Sequence, residues 1–293
     1  MNLVSIGFVL LAAVCWGISG GIADILMTKG WNPIVISFYR GAIGFLCFFI
    51  WFLIHFKRNR TFSIRVYLWS FLAGMGVAGN FTLYFLSIEA SSIPVAATLM
   101  YTAPVFVLLV SIFFGFERFT LLKGSCILSV FVGIVLLTGA YNADALSANF
   151  IGITTGLASG LSYALFIFAF KNTALMAKPQ TTLTMAFFSF SVLLFLLSDK
   201  NEVLAAASSA DLGWFLLLGL LGAGISFVFY VVGLRKTSPT VASMIAMIEP
   251  VTASLFGVFI LQNHLTLVQL IGMLLILLTV TTLAVKQSGK EGS

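Results

Sequence analysis

Basic residues in this chain sit almost entirely at alternate ends of a series of apolar stretches. Ten such stretches are joined by nine short connections, and of 15 Lys and Arg only Arg40 lies well inside a stretch. With the N-terminus in the cytoplasm, 12 fall on the cytoplasmic side: Lys57, Arg58, Arg60, Arg65, Arg118, Lys123, Lys171, Lys178, Arg235, Lys236, Lys286 and Lys290. Lys29 and Lys200 fall on the other side. Basic loops resist translocation, so a 12-to-2 division assigns an orientation as well as a class.

Composition agrees. Hydrophobic residues make up 60% of the 293 and charged residues 8%, against about 25% charge in an ordinary soluble domain. Thirty Phe and a mean hydropathy of +1.13 leave too few polar side chains to cover a water-facing surface. The net charge of +6 comes from short loops. It forms no basic stripe interleaved with aromatics, so nucleic acid is not an expected partner. Cys15, Cys47 and Cys126 all lie in apolar stretches and read as small buried hydrophobes. The apolar run from Leu3 lacks a basic n-region and reads as an uncleaved first span.

A membrane-spanning helix needs about 20 apolar residues. The expected spans are 3–26, 33–55, 66–88, 94–114, 121–140, 150–170, 180–197, 212–233, 240–261 and 266–285. Pro33, Pro94, Pro179 and Pro239 stand near helix starts, where the missing N–H costs nothing. Trp31, Trp51, Tyr67, Trp69 and Trp214 lie near expected interfaces. The longest connection, 198–211, carries Asp199, Lys200, Glu202 and Asp211 and reads as a polar external link.

The chain also repeats. Segment 103–120 reads APVFVLLVSIFFGFERFT and segment 249–266 reads EPVTASLFGVFILQNHLT. Pro104 precedes Thr120 by 16 residues, as Pro250 precedes Thr266. Gly79 precedes Pro94 by 15, as Gly224 precedes Pro239. Two halves, 1–145 and 146–293, would each hold five spans. An odd number makes the second half run opposite to the first, the inverted repeat used by alternating-access transporters, with substrate held near the bilayer midplane.

These residues resemble the drug/metabolite transporter superfamily in its EamA-type ten-helix form. The resemblance rests on CWG at 15–17, FYRGAIGFL at 38–46, MYTAPVFVLL at 100–109, FGFER at 114–118, SGLSYAL at 159–165 and IEPVTASLFG at 248–257. It covers nearly the whole chain. One departure is that the acidic residue after the fourth-helix motif, Glu117, has Asn263 as its second-half counterpart. The resemblance implies a basket of four helices per half around a central cavity, with each fifth helix outside it. It further implies transport of small metabolites such as amino acids, nucleosides, nucleotide sugars or drug-like amines.

Polar groups at depth mark the candidate site, because an ionisable residue in a bilayer costs about 2.5–3.5 kcal/mol on insertion scales. Glu249 lies near the midplane just before Pro250, whose missing N–H bends the helix. It suits a substrate amine or an exchanged proton; the bland alternative is a hydrogen-bonded Glu that stabilises the kink. Arg40 can take a carboxylate with two parallel bonds, but a structural or gating salt bridge to Asp24 or Glu89 is the favoured expectation. Glu117, beside Arg118, reads as an interfacial ion pair or a gate latch. Asn80 and Tyr84 share one helix face. With Trp16, Tyr101, Tyr163, Tyr230 and Met247 they complete the expected cavity, an aromatic box for an apolar or cationic group. Gly17 and Gly21, and Gly152, Gly156 and Gly160, are spaced for close helix packing.

Gly17-Ile-Ser-Gly-Gly21 matches the GxSxG of hydrolases, and GxSG occurs in intramembrane serine proteases. The hydrolase elbow needs a strand before its helix, and the protease needs a histidine at the depth of Ser19. His55 lies at a cytoplasmic helix end and His264 in a short external loop, so an enzyme is not expected. No P-loop and no metal-ligand set point to a cofactor. The expectation is an all-α integral membrane protein: ten transmembrane helices as two inverted five-helix repeats around a central cavity. It would be a secondary exporter of a small metabolite in a bacterial or archaeal cytoplasmic membrane, with both termini cytoplasmic and protons as a possible co-ion. A monomer is expected, with a dimer as the alternative. A multidrug or cationic-metabolite exporter is the second reading.

Overall fold

A computed structural model describes residues 3–54, 56–59, 61, 63–141 and 150–289, apart from the side chains of 58 and 287–289. His55, Arg60, Lys290, the Arg58 side chain and the expected boundary at 145/146 lie outside the described residues.

Ten helices are long and apolar enough to cross a membrane, and no strand occurs among the described residues. Numbered in order, spans 1 to 5 are Leu3–Thr28, Pro33–Ile54, Ile64–Ala90, Ile93–Phe113 and Leu121–Thr138. Spans 6 to 10 are Phe150–Met176, Pro179–Leu197, Leu212–Leu234, Pro239–Phe259 and Leu267–Lys286. A helix satisfies its own backbone polar groups, which lipid cannot do. Large apolar side chains such as Leu121 and Phe150 accordingly stay exposed on the outer surface.

Local signals set the ends. Pro33, Pro179 and Pro239 are the first residues of their helices and Pro94 the second. Span 5 starts at Thr120, whose hydroxyl accepts from the Lys123 amide at 3.3 Å, and ends at Gly139, left-handed at φ 76°. A non-glycine residue would be strained there.

Three features depart from the sequence expectation. Residues 198–211 are not a plain link. They contain a helix, Lys200–Ala207, whose first turn is capped by Asp199 through the Asn201 and Glu202 amides. Span 6 continues to Met176, so Lys171 belongs to a helix and not to a loop. Spans 4 and 9 are each two helices. Span 4 breaks between Ile93–Met100 and Ala103–Phe113, and span 9 between Pro239–Ala246 and Ile248–Phe259. The cause is the same in both. Pro104 and Pro250 supply no N–H to the carbonyls four residues back, Met100 and Ala246, where the first segments stop.

The halves interlock reciprocally. Span 1 packs on spans 8 and 9, and span 6 on spans 3 and 4. Span 2 packs on span 8, and span 7 on span 3. Spans 5 and 10 pack on each other, with the Ser129 and Thr279 hydroxyls 2.9 Å apart. This places four helices of each half around the molecular centre.

Candidate functional site

The broken helices put irregular backbone at mid-depth, which lipid tolerates only where protein or a cavity surrounds it. Two glycines cover the breaks. A Cβ on Gly17 would stand 2.6 Å from the Glu249 carbonyl and 2.5 Å from Thr252 Cβ. One on Gly160 would stand 3.0 Å from the carbonyls of Leu99 and Met100. The first helix of each half thus lies directly on the broken helix of the other.

Between them is a small cavity, partly open to its surroundings. Trp16, Arg40, Asn80, Tyr163 and Glu249 line it, together with Val77, Phe81, Phe166, Gly222 and Phe227. Glu249 occupies the first turn of Ile248–Phe259, where the positive end of the helix dipole favours a carboxylate. It retains partial exposure. Asn80 Nδ2 donates to the carbonyl and the hydroxyl of Ser159, both at 3.1 Å, and the Ser159 hydroxyl donates back to the Asn80 carbonyl at 2.9 Å. That exchange fixes span 3 against span 6.

The remaining expected site residues sit around this cavity or away from it. Tyr84 and Tyr101 lie within electrostatic range of Glu249 but are not among the cavity lining. Tyr230 is fully buried, its ring 4.9 Å from that of Trp16. Met247 is fully buried at the break in span 9. Trp16 Nε1 and the hydroxyls of Tyr163 and Tyr230 are buried without a hydrogen-bond partner among the described residues. Buried polar atoms are nearly always paired, so three orphans in one cluster indicate a place for water or ligand.

Two charged residues have partners other than those expected. Arg40 does not pair with Asp24 or Glu89; no carboxylate stands within ion-pair distance of it among the described residues. Its Nη2 donates to the Ser19 hydroxyl at 2.5 Å, and its guanidinium lies 4.9 Å from the centre of the Phe81 ring. Ser19 was legible only through the Gly17–Gly21 pattern. Phe166 and Phe227 carried a signal, each three residues from Tyr163 and Tyr230, whereas Phe81, next to Asn80, carried none. Glu117 pairs with Lys123 at 2.5 Å and not with Arg118, and it accepts from the Thr240 amide at 3.3 Å. It therefore ties the end of span 4 to the start of span 9.

Other bonds cross that same face. Lys171 Nζ donates to the carbonyls of Leu234, Arg235 and Thr237 at 2.7, 3.1 and 3.0 Å. Arg235 Nη2 donates to the Ala177 carbonyl at 3.0 Å. All eight residues of Pro239–Ala246 are buried, whereas in the corresponding segment Ile93–Met100 only Ala96, Ala97, Thr98 and Met100 are. The protein is packed shut where span 9 begins and looser where span 4 begins.

A cavity with buried charges beside a broken helix suits a transporter, and comparison with known proteins decides the family. The model of the EamA-like transporter family matches residues 3–139 and again 150–285. The chain belongs to the EamA-like transporter family. An uncharacterized transporter of Archaeoglobus fulgidus is 27% identical over 284 residues, covering 92% of each chain. The uncharacterized inner membrane transporter YicL of Salmonella typhimurium is 25% identical over 286 residues, 93% of this chain and 92% of its own. A solved crystal structure covering 98% of this chain and 99% of its own superposes with a TM-score of 0.76 at 16% identity, a likeness of fold. This EamA-like protein is thus a multi-pass membrane transporter whose two halves match one family model.

Proposed function

We propose that this EamA-like protein is a secondary active transporter that exports a small metabolite, an amino acid or related amphipathic compound, by alternating access. The two halves, 1–145 and 146–293, would be inverted copies that rock about the central cavity. Both chain ends would lie in the cytoplasm of a bacterial or archaeal cell. The observation that carries the reading is the cavity itself: a cation from span 2 and a carboxylate from span 9, set in an aromatic wall with orphaned donors. Trp16, Asn80, Tyr163 and Glu249 would contact the substrate, with Tyr84, Tyr101, Tyr230 and Met247 around them.

Alternation would use the breaks in spans 4 and 9 as hinges. The bonds of Glu117, Lys171 and Arg235 would form the gate at the cytoplasmic face, closed in the present state. Opening that face must release the Glu117–Thr240 contact. Glu249 would bind the substrate amine or carry the exchanged proton. The drive would be the substrate gradient or a proton moving against it.

A cationic-metabolite or multidrug exporter is the second reading, favoured by Glu249 lining one cavity with Phe166 and Phe227. Ser19 supports transport over hydrolysis, since its hydroxyl donates to the Trp16 carbonyl at 2.8 Å while accepting from Arg40. The protein reconstituted in liposomes, loaded in turn with labelled amino acids and organic cations, tests these readings. Carrier-mediated exchange of an amino acid supports the first. Exchange of cations alone supports the second, and cleavage of a membrane substrate would overturn both.

A further inference from the structure

Arg40 is 8% exposed, and the Ser19 hydroxyl is its hydrogen-bond partner among the described residues. A guanidinium has five N–H donors. Such a group buried in the membrane without a paired anion is costly, and intramembrane charges generally face a partner or a cavity. Here it faces the cavity.

The surroundings hold Arg40 in one pose. Its guanidinium carbon lies 4.9 Å from the centre of the Phe81 ring, a contact that suits the planar fork. Ser19 is itself fixed, with no exposure and its own hydroxyl proton given to the Trp16 carbonyl at 2.8 Å. Gly222 closes the seat. A Cβ there would stand 2.7 Å from both Arg40 Nε and Ser19 Oγ. Gly222 also lies in a π-helical turn, Leu220–Ile225, inside span 8. Such turns interrupt an α-helix at a cost and cluster at functional sites. Phe81 and Gly222 line the cavity beside Arg40, and Trp16 Nε1 adds a donor without a partner among the described residues.

We infer that Arg40 is the site for a carboxylate on the transported molecule, and that Ser19 and Gly222 are positioning residues that aim its guanidinium. The inference rests on the transport reading and names one chemical requirement of the cargo. Arg40 gives two parallel N–H bonds to a planar carboxylate. Ser19 holds the Nη2 edge and Phe81 supports the face. The anionic end of the cargo sits between spans 2 and 8, while its other end extends toward Glu249 and the aromatic wall.

The test uses phenylalanine and phenylalaninamide, which differ at the carboxyl group and both carry an amine and a ring. Binding to the purified full chain is read by thermal shift, with each variant's melting point without probe as the folding check. The wild type binds phenylalanine at least about tenfold more tightly than the amide, the scale of one charge-assisted contact. Ser19→Ala, Gly222→Ala and Arg40→Lys lose that preference, each weakening phenylalanine by about tenfold more than it weakens the amide. Three variants protect the test against one failing to fold. Equal weakening for both probes would reduce Ser19 and Gly222 to packing and overturn the inference. So would a preference that survives all three substitutions, or a wild type that binds the two probes equally. A wild type that binds neither, yet exchanges an organic cation in liposomes, overturns the carboxylate site and leaves the transporter standing.

Discussion

Arg40 and Glu249 line one cavity from different halves of the chain, yet stand beyond ion-pair distance of each other. Opposite charges 4 Å apart attract by about 4 kcal/mol at the effective dielectric near protein surfaces. Arg40 is held by Ser19 and Phe81, and Glu249 stands in the first turn before Pro250. The two opposite charges thus face one cavity.

Replacing Glu249 with Gln keeps the shape and removes the titration. Transport measured across pH in liposomes should lose its pH dependence, and amine-bearing substrates should bind about tenfold or more weakly, the scale of a lost charge-assisted bond. A pH profile identical to the wild type's would remove Glu249 as the proton carrier.

The contact of Gly17 with span 9 predicts a positional contrast. Gly17→Ala places a methyl 2.6 Å from the Glu249 carbonyl, whereas a Cβ on Gly7 meets nothing within 4 Å. Overpacking of this kind costs about 1–3 kcal/mol. The melting point and the transport rate should fall for Gly17→Ala and hold for Gly7→Ala. Equal behaviour of the two would show that the close approach does not constrain span 1.

Ten spans, their proline starts and the odd count per half were legible because apolar length and punctuation are local properties. The breaks in spans 4 and 9 were half legible. Pro250 announced a bend, but two separate segments depend on what packs at the carbonyls Pro104 and Pro250 leave without donors. Trp16, Asn80, Tyr163 and Glu249 carried chemistry that could be read at mid-depth. Phe81, Gly222 and Ser19 could not be told from packing residues, since their roles come from Arg40 arriving from another helix. The salt bridge expected for Arg40 is absent among the described residues, and the ion pair of Glu117 is made with a residue six positions on. Sequence offers nearby charges such as Asp24 and Arg118, while the fold offers Ser19, Lys123 and the Thr240 amide.

Asn80 should matter for stability as well as for lining the cavity. Asn80→Ala removes the two bonds it donates to Ser159. Interhelical hydrogen bonds in membranes contribute about 0.6 to 2 kcal/mol, so thermal denaturation in detergent should show a loss of that size. A neutral substitution would mean that span 3 and span 6 are held by packing alone.

At the face opposite the gate, Asp211 bonds Lys29 and accepts from Trp31 Nε1 at 3.0 Å. The Lys29 hydrogen bond, then that of Trp31, hold its carboxyl below its ordinary 3.8. A lowered folded value means the link is fully present above 3.8 and is lost as pH falls through the lowered value. Acid should therefore loosen the wild type relative to Asp211→Asn, compared as the pH slopes of their melting points. Parallel slopes would show that the link adds nothing.

The account's central claim is that one cavity between the halves opens to each side of the membrane in turn. A single cysteine at Val77, in a chain with Cys15, Cys47 and Cys126 replaced, places a probe in that cavity. Labelling with a membrane-impermeant thiol reagent is compared in right-side-out and inside-out vesicles. The account predicts labelling from both sides, and labelling from the cytoplasmic side that quickens when Glu117→Gln weakens the gate. Labelling from one side only, unchanged by Glu117→Gln, would contradict it.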